Sequence, residues 1–328
     1  MADKKITYKE AGVDIHGAAE LVGDIGALRA KTEQKRKLFG AFGLFAAGFD
    51  LSDYKEPVIF TGCDGVGTKL ELLLEHDLLE TAGKDLVAMS VNDILTTGAD
   101  PIMFLDYVGV GKLDKAKISR VIAGIAEWCA ASDCILAGGE TAEMPGLVAE
   151  DMIELSGFAI GAAEKCDVID PTTVADGDVV IGFPSSGIHA NGWSLVRKII
   201  AAFPDEFSKE DIASLLEPTK LYHDVVRKLR EDGVKAKAMA HITGGGLPEN
   251  LPRVLGDKGA ALTIPKWELG AVQKVLAHVE EKEATWTFNM GIGWVVVAAP
   301  EDAEKVLALD GAMKIGEVGG GELTVTIT

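Results

Sequence analysis

Gly62-Cys63-Asp64-Gly65-Val66-Gly67-Thr68-Lys69 is the first stretch of this chain with the makings of a reactive site. Its glycines let backbone N–H groups come close to an anion, as a phosphate-binding loop requires. It approaches the GxxxxGK[ST] pattern, but Thr68 and Lys69 stand in reverse order, and in that pattern the Lys reaches phosphate while the next hydroxyl ligates magnesium. Asp64 makes sense beside a phosphate when a Mg²⁺ sits between the two. A tight turn with a solvent-facing acid explains the same residues, and taken alone the stretch leaves both readings open. Three further acids extend the pattern. Asp93, in Asn92-Asp93, falls inside an otherwise apolar helix, where an aspartate is disfavoured unless it is paired or faces water. Asp106 lies in Phe104-Leu105-Asp106-Tyr107, on a hydrophobic strand where a carboxylate is costly without a cation or strong donors. Glu140, in Gly138-Gly139-Glu140-Thr141-Ala142-Glu143, follows the strand ending Ile135-Leu136, and α/β folds place active sites at such strand ends. Together these acids look like a divided Mg²⁺ and phosphate site, because hard cations take oxygen ligands from several elements plus substrate phosphates.

The second half offers different groups. Ser185-Ser186-Gly187-Ile188-His189-Ala190-Asn191-Gly192 leads into a helix at Trp193-Ser194, and a helix entry of this kind suits an anion. A capped loop accounts for the Ser and Gly, though not for His189. His241-Ile242-Thr243-Gly244-Gly245-Gly246 precedes a helix opening near Pro248. Three consecutive glycines cost chain entropy, which favours close backbone approach to a ligand. Arg197 and Arg253 are available to a ligand phosphate, although as surface charges they need no explanation.

These residues need elements to hold them. Residues 57–61, 102–110, 134–137 and 152–160 read as strands from their apolar, β-branched character. Residues 86–97 read as a helix with Val87, Val91 and Ile94 on one stripe, and Asp114 as the N-cap of another whose Ile118, Val121, Ile122, Ile125 and Cys129 share a face. Alternation of strands and helices makes this an α/β chain. Turn-rich Asp170-Pro171 and Asp176-Gly177-Asp178 predict a boundary near residue 170, with domains 1–170 and 171–328. In the second half, helices are expected at 193–202, 220–231 and 269–280, and strands at 179–183, 260–264, 293–299 and 323–327.

Length supports the division, since 328 residues exceed one ordinary core. The net charge of −19 repels a phosphate backbone at long range, so no nucleic-acid partner is expected, while a small anion in a local cleft remains possible. No apolar run reaches the roughly 18 residues of a membrane span, and the first residues lack the apolar core of a secretion signal. A cytoplasmic protein with no membrane partner is the expectation. Cys63, Cys129, Cys134 and Cys166 show no metal-type pairing and read as buried reduced thiols.

The stretches quoted above, with Tyr8-Lys9-Glu10-Ala11-Gly12-Val13-Asp14-Ile15, Met144-Pro145-Gly146 after Glu143, and Thr287-Phe288-Asn289-Met290-Gly291-Ile292-Gly293, occur in an order that resembles the phosphoribosylformylglycinamidine cyclo-ligase (aminoimidazole ribonucleotide synthetase) family. The resemblance spans about residues 7 to 318. It implies an α/β (α+β type) protein of two domains: an N-terminal mixed-sheet domain that pairs in a homodimer to form a central β-barrel, and a C-terminal α/β sandwich. It implies ATP and Mg²⁺, a small ribonucleotide substrate, and ATP-driven closure of an aminoimidazole ring in purine biosynthesis. By motif match, Asp93, His241 and Lys69 would be catalytic. Asp64, Gly65, Gly67, Thr68, Asn92, Asp106 and Glu140 would hold the nucleotide, with Asp64, Asp93 and Glu140 on the metal. His189, Asn191, Thr243, Gly244, Gly245 and Gly246 would hold the ribonucleotide. Two departures stand out: Gly26 occupies a position where the family usually carries Lys, with Arg29 and Lys31 nearby, and the family's Gly-Gly-Phe-Gly loop is Gly40-Ala41-Phe42-Gly43. Thiamine-monophosphate kinase and selenophosphate synthetase would share the acid framework. No Cys before Cys63 serves the latter, and the former is expected to lack the Ala11–Ile15 opening and the His189 loop. A non-catalytic nucleotide-binding protein and a two-metal phosphatase are the alternatives from other classes.

Overall fold

Each run of β-branched residues must bury at least one sheet face, and the helices between the runs supply the cover. The computed structural model describes residues 15–39, 45–268 and 270–328. Of the motifs above, residues 8–14 and 40–43 lie outside the described residues. The first domain contains α1 (Ile15–Ala30), β1 (Pro57–Gly65), α2 (Lys69–Glu75), α3 (Leu79–Thr96), β2 (Asp100–Val110), α4 (Lys115–Ala131), β3 (Ile135–Glu143) and β4 (Ile153–Glu164). Its sheet runs β1-β4-β2-β3, with β2 and β3 parallel and the other pairs antiparallel. Asp114 caps α4 by accepting from Lys117 N.

The second domain follows with β5 (Val179–Pro184), α5 (Trp193–Ala202), α6 (Lys209–Leu215), α7 (His223–Glu231), β6 (Ala236–His241), α8 (Gly246–Asn250) and α9 (Pro252–Leu255). It ends with β7 (Ala260–Ile264), α10 (Gly270–Leu276), α11 (Glu281–Thr287), β8 (Ile292–Ala298), α12 (Pro300–Leu307), β9 (Met313–Val318) and β10 (Leu323–Ile327). Its six strands run β10-β7-β9-β5-β8-β6, and β8 is buried along its whole length. The molecule is therefore mixed α/β, with one sheet per domain.

Several expectations shift. β1 continues to Gly65, so Asp64 sits in the strand rather than in a loop after it, because β4 pairs with it that far. α3 starts at Leu79 and the helix expected from residue 220 starts at His223. The helix expected over 269–280 ends at Leu276, and α11 begins at Glu281. β6, β9 and α12 had no counterpart in the sequence reading. Cys129 and Cys134 are buried as expected, but Cys63 and Cys166 are exposed. Among the described residues no helix is long and apolar enough to cross a membrane.

α3 is the element that aims the first domain's acids. It is pressed onto α4 backbone to backbone: a Cβ on Gly83 would fall 2.1 Å from Val121 O, and one on Gly124 would fall 2.0 Å from Glu80 O. Ser90 Oγ donates to Leu86 O and reaches Gly157 O on β4 at 3.4 Å. Held on two sides, the helix has little freedom to slide.

The second domain meets it through residues 217–222, a non-helical strap whose backbone the first domain reads almost atom by atom. Lys69 Nζ donates to Glu217 O at 2.7 Å, and Asp85 Oδ1 accepts from Thr219 N at 2.7 Å and Thr219 Oγ1 at 2.6 Å. Trp128 Nε1 donates to Thr219 O, Asn92 Nδ2 donates to Lys220 O, and Asn92 Oδ1 accepts from Tyr222 N. Buried backbone groups need such partners, and here the partners come from the other domain. The strap is centred on the Lys69–Asp85 ion pair, 2.7 Å long with both side chains 0% exposed. A buried pair with one partner removed leaves an uncompensated charge. Asp85→Ala is therefore expected to cost about 3–5 kcal/mol in urea unfolding. A cost below about 1 kcal/mol would mean that the pair does not hold the junction.

Candidate active site

Four elements converge where α3 passes beneath the strap. Asn92 and Asp93 are successive residues of α3, the first fully buried and the second with a side chain 51% exposed. His241, the last residue of β6, is buried against both. Its Nδ1 lies 3.1 Å from Asp93 Oδ1 and its Nε2 lies 3.3 Å from Asn92 Nδ2. The dyad thus spans the domain junction.

Asp64 joins from β1. Burial raises its pKa, the Gly65 N–H at 2.7 Å opposes the rise, and the charge of Asp93 adds to it. A carboxylate whose ionisation is disfavoured by a second one beside it fits a cation between the two. Asp93 spends Oδ1 on His241 and remains half open to solvent, so it has an oxygen to offer. Mg²⁺ is usually held by one or two carboxylates with substrate phosphates completing its shell, and this donor set suits that habit. Among the described residues no three His, Cys, Asp or Glu side chains form a metal cluster.

The other two acids behave differently. Asp64, Gly157, Asp106 and Gly139 form one row across β1, β4, β2 and β3. Asp106 is 7% exposed, and a Cβ on Gly139 would fall 2.4 Å from its Oδ1, so glycine is needed to make room. Glu140 is exposed and pairs with Tyr107, one register on, and strand alternation turns it to the opposite sheet face. Asp64 and Asp93 are brought together; Glu140 is not brought to them. Lys69, expected to support catalysis, is fully buried in the junction pair rather than open to a phosphate.

Facing the acids is the loop before α5. Gly67 comes 4.0 Å, as a would-be Cβ, from Ala190 O, and Thr68 Oγ1 lies 3.0 Å from Ser194 Oγ. His189 is buried with a φ of +64°. Its Nε2 accepts from Ser186 N at 3.2 Å, so the ring proton is on Nδ1, which is buried without a partner. Burial, then the neighbouring His241, Lys69 and Lys220, hold its pKa well below the ordinary value. Asn191 Oδ1 is also buried and unpartnered, and Asn191 Nδ2 lies 3.4 Å from a would-be Cβ on Gly244. His189 Nδ1 and Asn191 Oδ1 are each a buried polar atom without a partner among the described residues, and buried polar atoms ordinarily have one. The Thr243–Gly246 turn stands beside them: Gly246 N donates to Thr243 O, and Gly245 and Gly246 adopt positive φ.

Three residues to which the sequence assigned no role stand around these loops. Asn250 Nδ2 donates to Gly244 O and Gly246 O, pinning the glycine turn. Asn289 Nδ2 donates to Gly187 O, and its Oδ1 accepts from Gly291 N. Lys220 is half-buried, with Nζ 3.3 Å from Pro184 O and over the Tyr222 ring, and burial lowers its pKa. Among the described residues no carboxylate forms an ion pair with it. Its one signal, a cation beside Pro218-Thr219, looked like the start of a helix. Arg197 and Arg253, by contrast, are engaged by Glu71 and Glu249. Near Gly26, within α1, Arg29 pairs with Glu33 at 2.6 Å and Lys31 is exposed.

A two-domain α/β chain with its acids on one domain and its polar glycine loops on the other has known counterparts. Residues 47–163 match the family described as AIR synthase related protein, N-terminal domain, and residues 175–328 match AIR synthase related protein, C-terminal domain. The class is thus a two-domain AIR synthase related protein. Two curated relatives named phosphoribosylformylglycinamidine cyclo-ligase narrow it. The one from Streptococcus sanguinis (strain SK36) is 44% identical over 317 residues, covering 93% of each chain. The one from Chromobacterium violaceum is 46% identical over 322 residues, covering 94% of this chain and 92% of the other. The chain belongs to the phosphoribosylformylglycinamidine cyclo-ligase family. A thiamine-monophosphate kinase from Stenotrophomonas maltophilia K279a shares the fold at 16% identity, with a TM-score of 0.68 over 92% of this chain and 94% of that one. So does the hydrogenase maturation protein HypE in complex with ATP, at 16% identity and 0.67 over 95% and 91%.

Asp106 carries a pH signature. Burial, with a smaller push from Glu140, raises its carboxyl from the ordinary 3.8 to about 7. A pKa raised on folding contributes stability below the unfolded value and loses it as pH rises through the folded one. Wild-type stability relative to Asp106→Asn should therefore fall by an amount on the order of a few kcal/mol between pH 4 and 7. Urea unfolding of both at pH 4.5 and 7.5 checks this. A pH-independent difference would contradict the burial of an ionisable Asp106.

Proposed function

We propose that this chain closes formylglycinamidine ribonucleotide to 5-aminoimidazole ribonucleotide at the expense of ATP, releasing ADP and phosphate in de novo purine biosynthesis. Family membership over nearly the whole chain supports the reaction class. The observation that carries the site is the Asp64–Asp93 pair joined to His241 across the junction, opposite the unpartnered His189 Nδ1 and Asn191 Oδ1.

Residues 1–170 take the nucleotide half and residues 171–328 the substrate half. Asp64 and Asp93 would hold Mg²⁺ on the ATP phosphates, and Gly65, Gly67 and Thr68 bring backbone and hydroxyl groups to the same edge. The metal-bound nucleotide supplies the phosphoryl group that turns the formyl oxygen into a leaving group. His189 Nδ1–H donates to a ribonucleotide oxygen, and Asn191 and the Thr243–Gly246 turn fix its pose. Lys220 offers the cation for its phosphate, a role that Arg197 and Arg253 are engaged elsewhere to fill. Ring closure then brings together two groups of one molecule, so orientation supplies much of the rate. Asp106 lies beneath this edge as a support rather than as a contact. Glu140 is left out of the metal set because it faces the other side of the sheet.

That other side also argues for a homodimer. Ile59 on β1 and Phe158 on β4 are 47% and 43% exposed on the sheet face away from α3. An apolar sheet face needs cover, and a second copy joining its sheet into a barrel supplies it. A cytoplasmic site of action fits the small soluble metabolites involved.

The purified chain with ATP, Mg²⁺ and formylglycinamidine ribonucleotide should form 5-aminoimidazole ribonucleotide, read by mass spectrometry. Asp93→Asn should lower that turnover at least about a hundredfold, because phosphoryl transfer depends on a placed metal, while the thermal melt barely moves. No imidazole product from the wild-type chain would sink the assignment. Near-normal turnover in the variant would move the metal site elsewhere.

A further inference from the structure

His241 looks at first like a proton carrier, but both of its ring nitrogens are already in use. The Asn92 amide has one possible orientation, since Tyr222 N can only donate to its Oδ1 and Lys220 O can only accept from its Nδ2. Asn92 Nδ2 therefore presents N–H to His241 Nε2, which must accept. The ring proton then sits on Nδ1 and points at Asp93 Oδ1. The tautomer is thus set by two backbone groups of the strap, one residue removed from the ion pair that locks the domains. Trp294 is paired with His241 in the β6–β8 register, its ring 6.4 Å from the imidazole and tilted 41° to it.

We propose that His241 is a positioning residue: it acts through Asp93, turning that carboxylate so that its second oxygen meets the metal of a metal–nucleotide complex, and Asn92 enforces the orientation. Asn92 is accordingly a tautomer clamp rather than a nucleotide contact, which agrees with its complete burial. The chain of contacts runs from strap to Asn92 to His241 to Asp93, so the nucleotide half is set correctly only when the second domain is seated. This rests on the reading of Asp93 as an acid that holds Mg²⁺ on a nucleotide.

Side-chain geometry provides the test. An asparagine at position 241 places an amide N–H where the imidazole Nδ1–H stands, whereas a glutamine replaces Nε2 and leaves Asp93 without its donor. Calorimetric titration of ADP with Mg²⁺, and again with EDTA in its place, reads the gain in affinity that the metal confers. His241→Asn should keep that gain within about threefold of wild type, and His241→Gln should lose at least about tenfold of it. Asn92→Asp, which sets an acceptor against Nε2 and draws the ring proton away from Asp93, should lose it as well. Thermal melts of the three variants establish that each is folded, and any one that folds is informative. Equal loss in His241→Asn and His241→Gln, or a full gain in either His241→Gln or Asn92→Asp, overturns the proposal. A wild-type chain that shows the metal gain but makes no imidazole product would instead overturn the assigned reaction and leave the positioning role standing.

Discussion

Two charges withdrawn from water, Lys69 and Asp85, meet at the domain junction and between them grip the backbone of residues 217–222. Neither is tolerable there alone, and each also bonds the other domain, Lys69 to Glu217 O and Asp85 to Thr219 N and Oγ1. The relative placement of the two sheets follows from this contact. It sets Lys220 O and Tyr222 N against Asn92, and through Asn92 it brings His241 of β6 onto Asp93 of α3. A shift of the strap by one residue would present a donor where Asn92 needs an acceptor. Polar contacts at the strap thus add a specific register to the apolar packing that runs through both domains.

The division of labour between the domains has a chemical logic. Acids that tolerate a metal lie on strands and helices packed to near rigidity, with Gly83, Gly124 and Gly139 allowing backbone and carboxylate approaches that any side chain would forbid. Groups suited to a polar ligand lie on loops, but those loops are pinned by Asn250 and Asn289. Preorganised polar groups cost no rearrangement at the moment of reaction, which is what the proposed two-domain site would gain from such a junction. A complex that is complete only with both substrates present also keeps water from an activated intermediate.

Much of this was legible in residue types and spacing. The β1, β7 and β10 strands, the α4 cap and the glycine loops follow from local pattern, which needs no partner to be read. Asp93 and Asp106 stood out because a carboxylate is expensive in their settings, and Asp64, His189 and His241 because they sit in or beside glycine-rich stretches. What escaped is what depends on long-range pairing. Lys69 looked like a phosphate lysine because its neighbours are glycines, yet its partner Asp85 is sixteen positions on and reads as one more helix acid. Asn92 was expected at the nucleotide by motif match, and the contacts it makes in the structure come from residues 220, 222 and 241. Residues 220–222 resembled a helix start, since nothing local shows that the other domain claims the backbone of residues 217–222. Glu140 was expected on the metal by motif match, and the sheet face it takes becomes definite only once the β2–β3 register is known.

The central claim, that one reaction needs both halves of this junction, is tested most directly by counting ADP against imidazole product with the ribonucleotide present and absent. Continuous measurement of ADP release, with the ring product quantified in the same samples, is expected to give one ADP for each ring closed and essentially none without formylglycinamidine ribonucleotide. ATP hydrolysis at an undiminished rate in the absence of the ribonucleotide would contradict a site completed only when both domains hold their substrates.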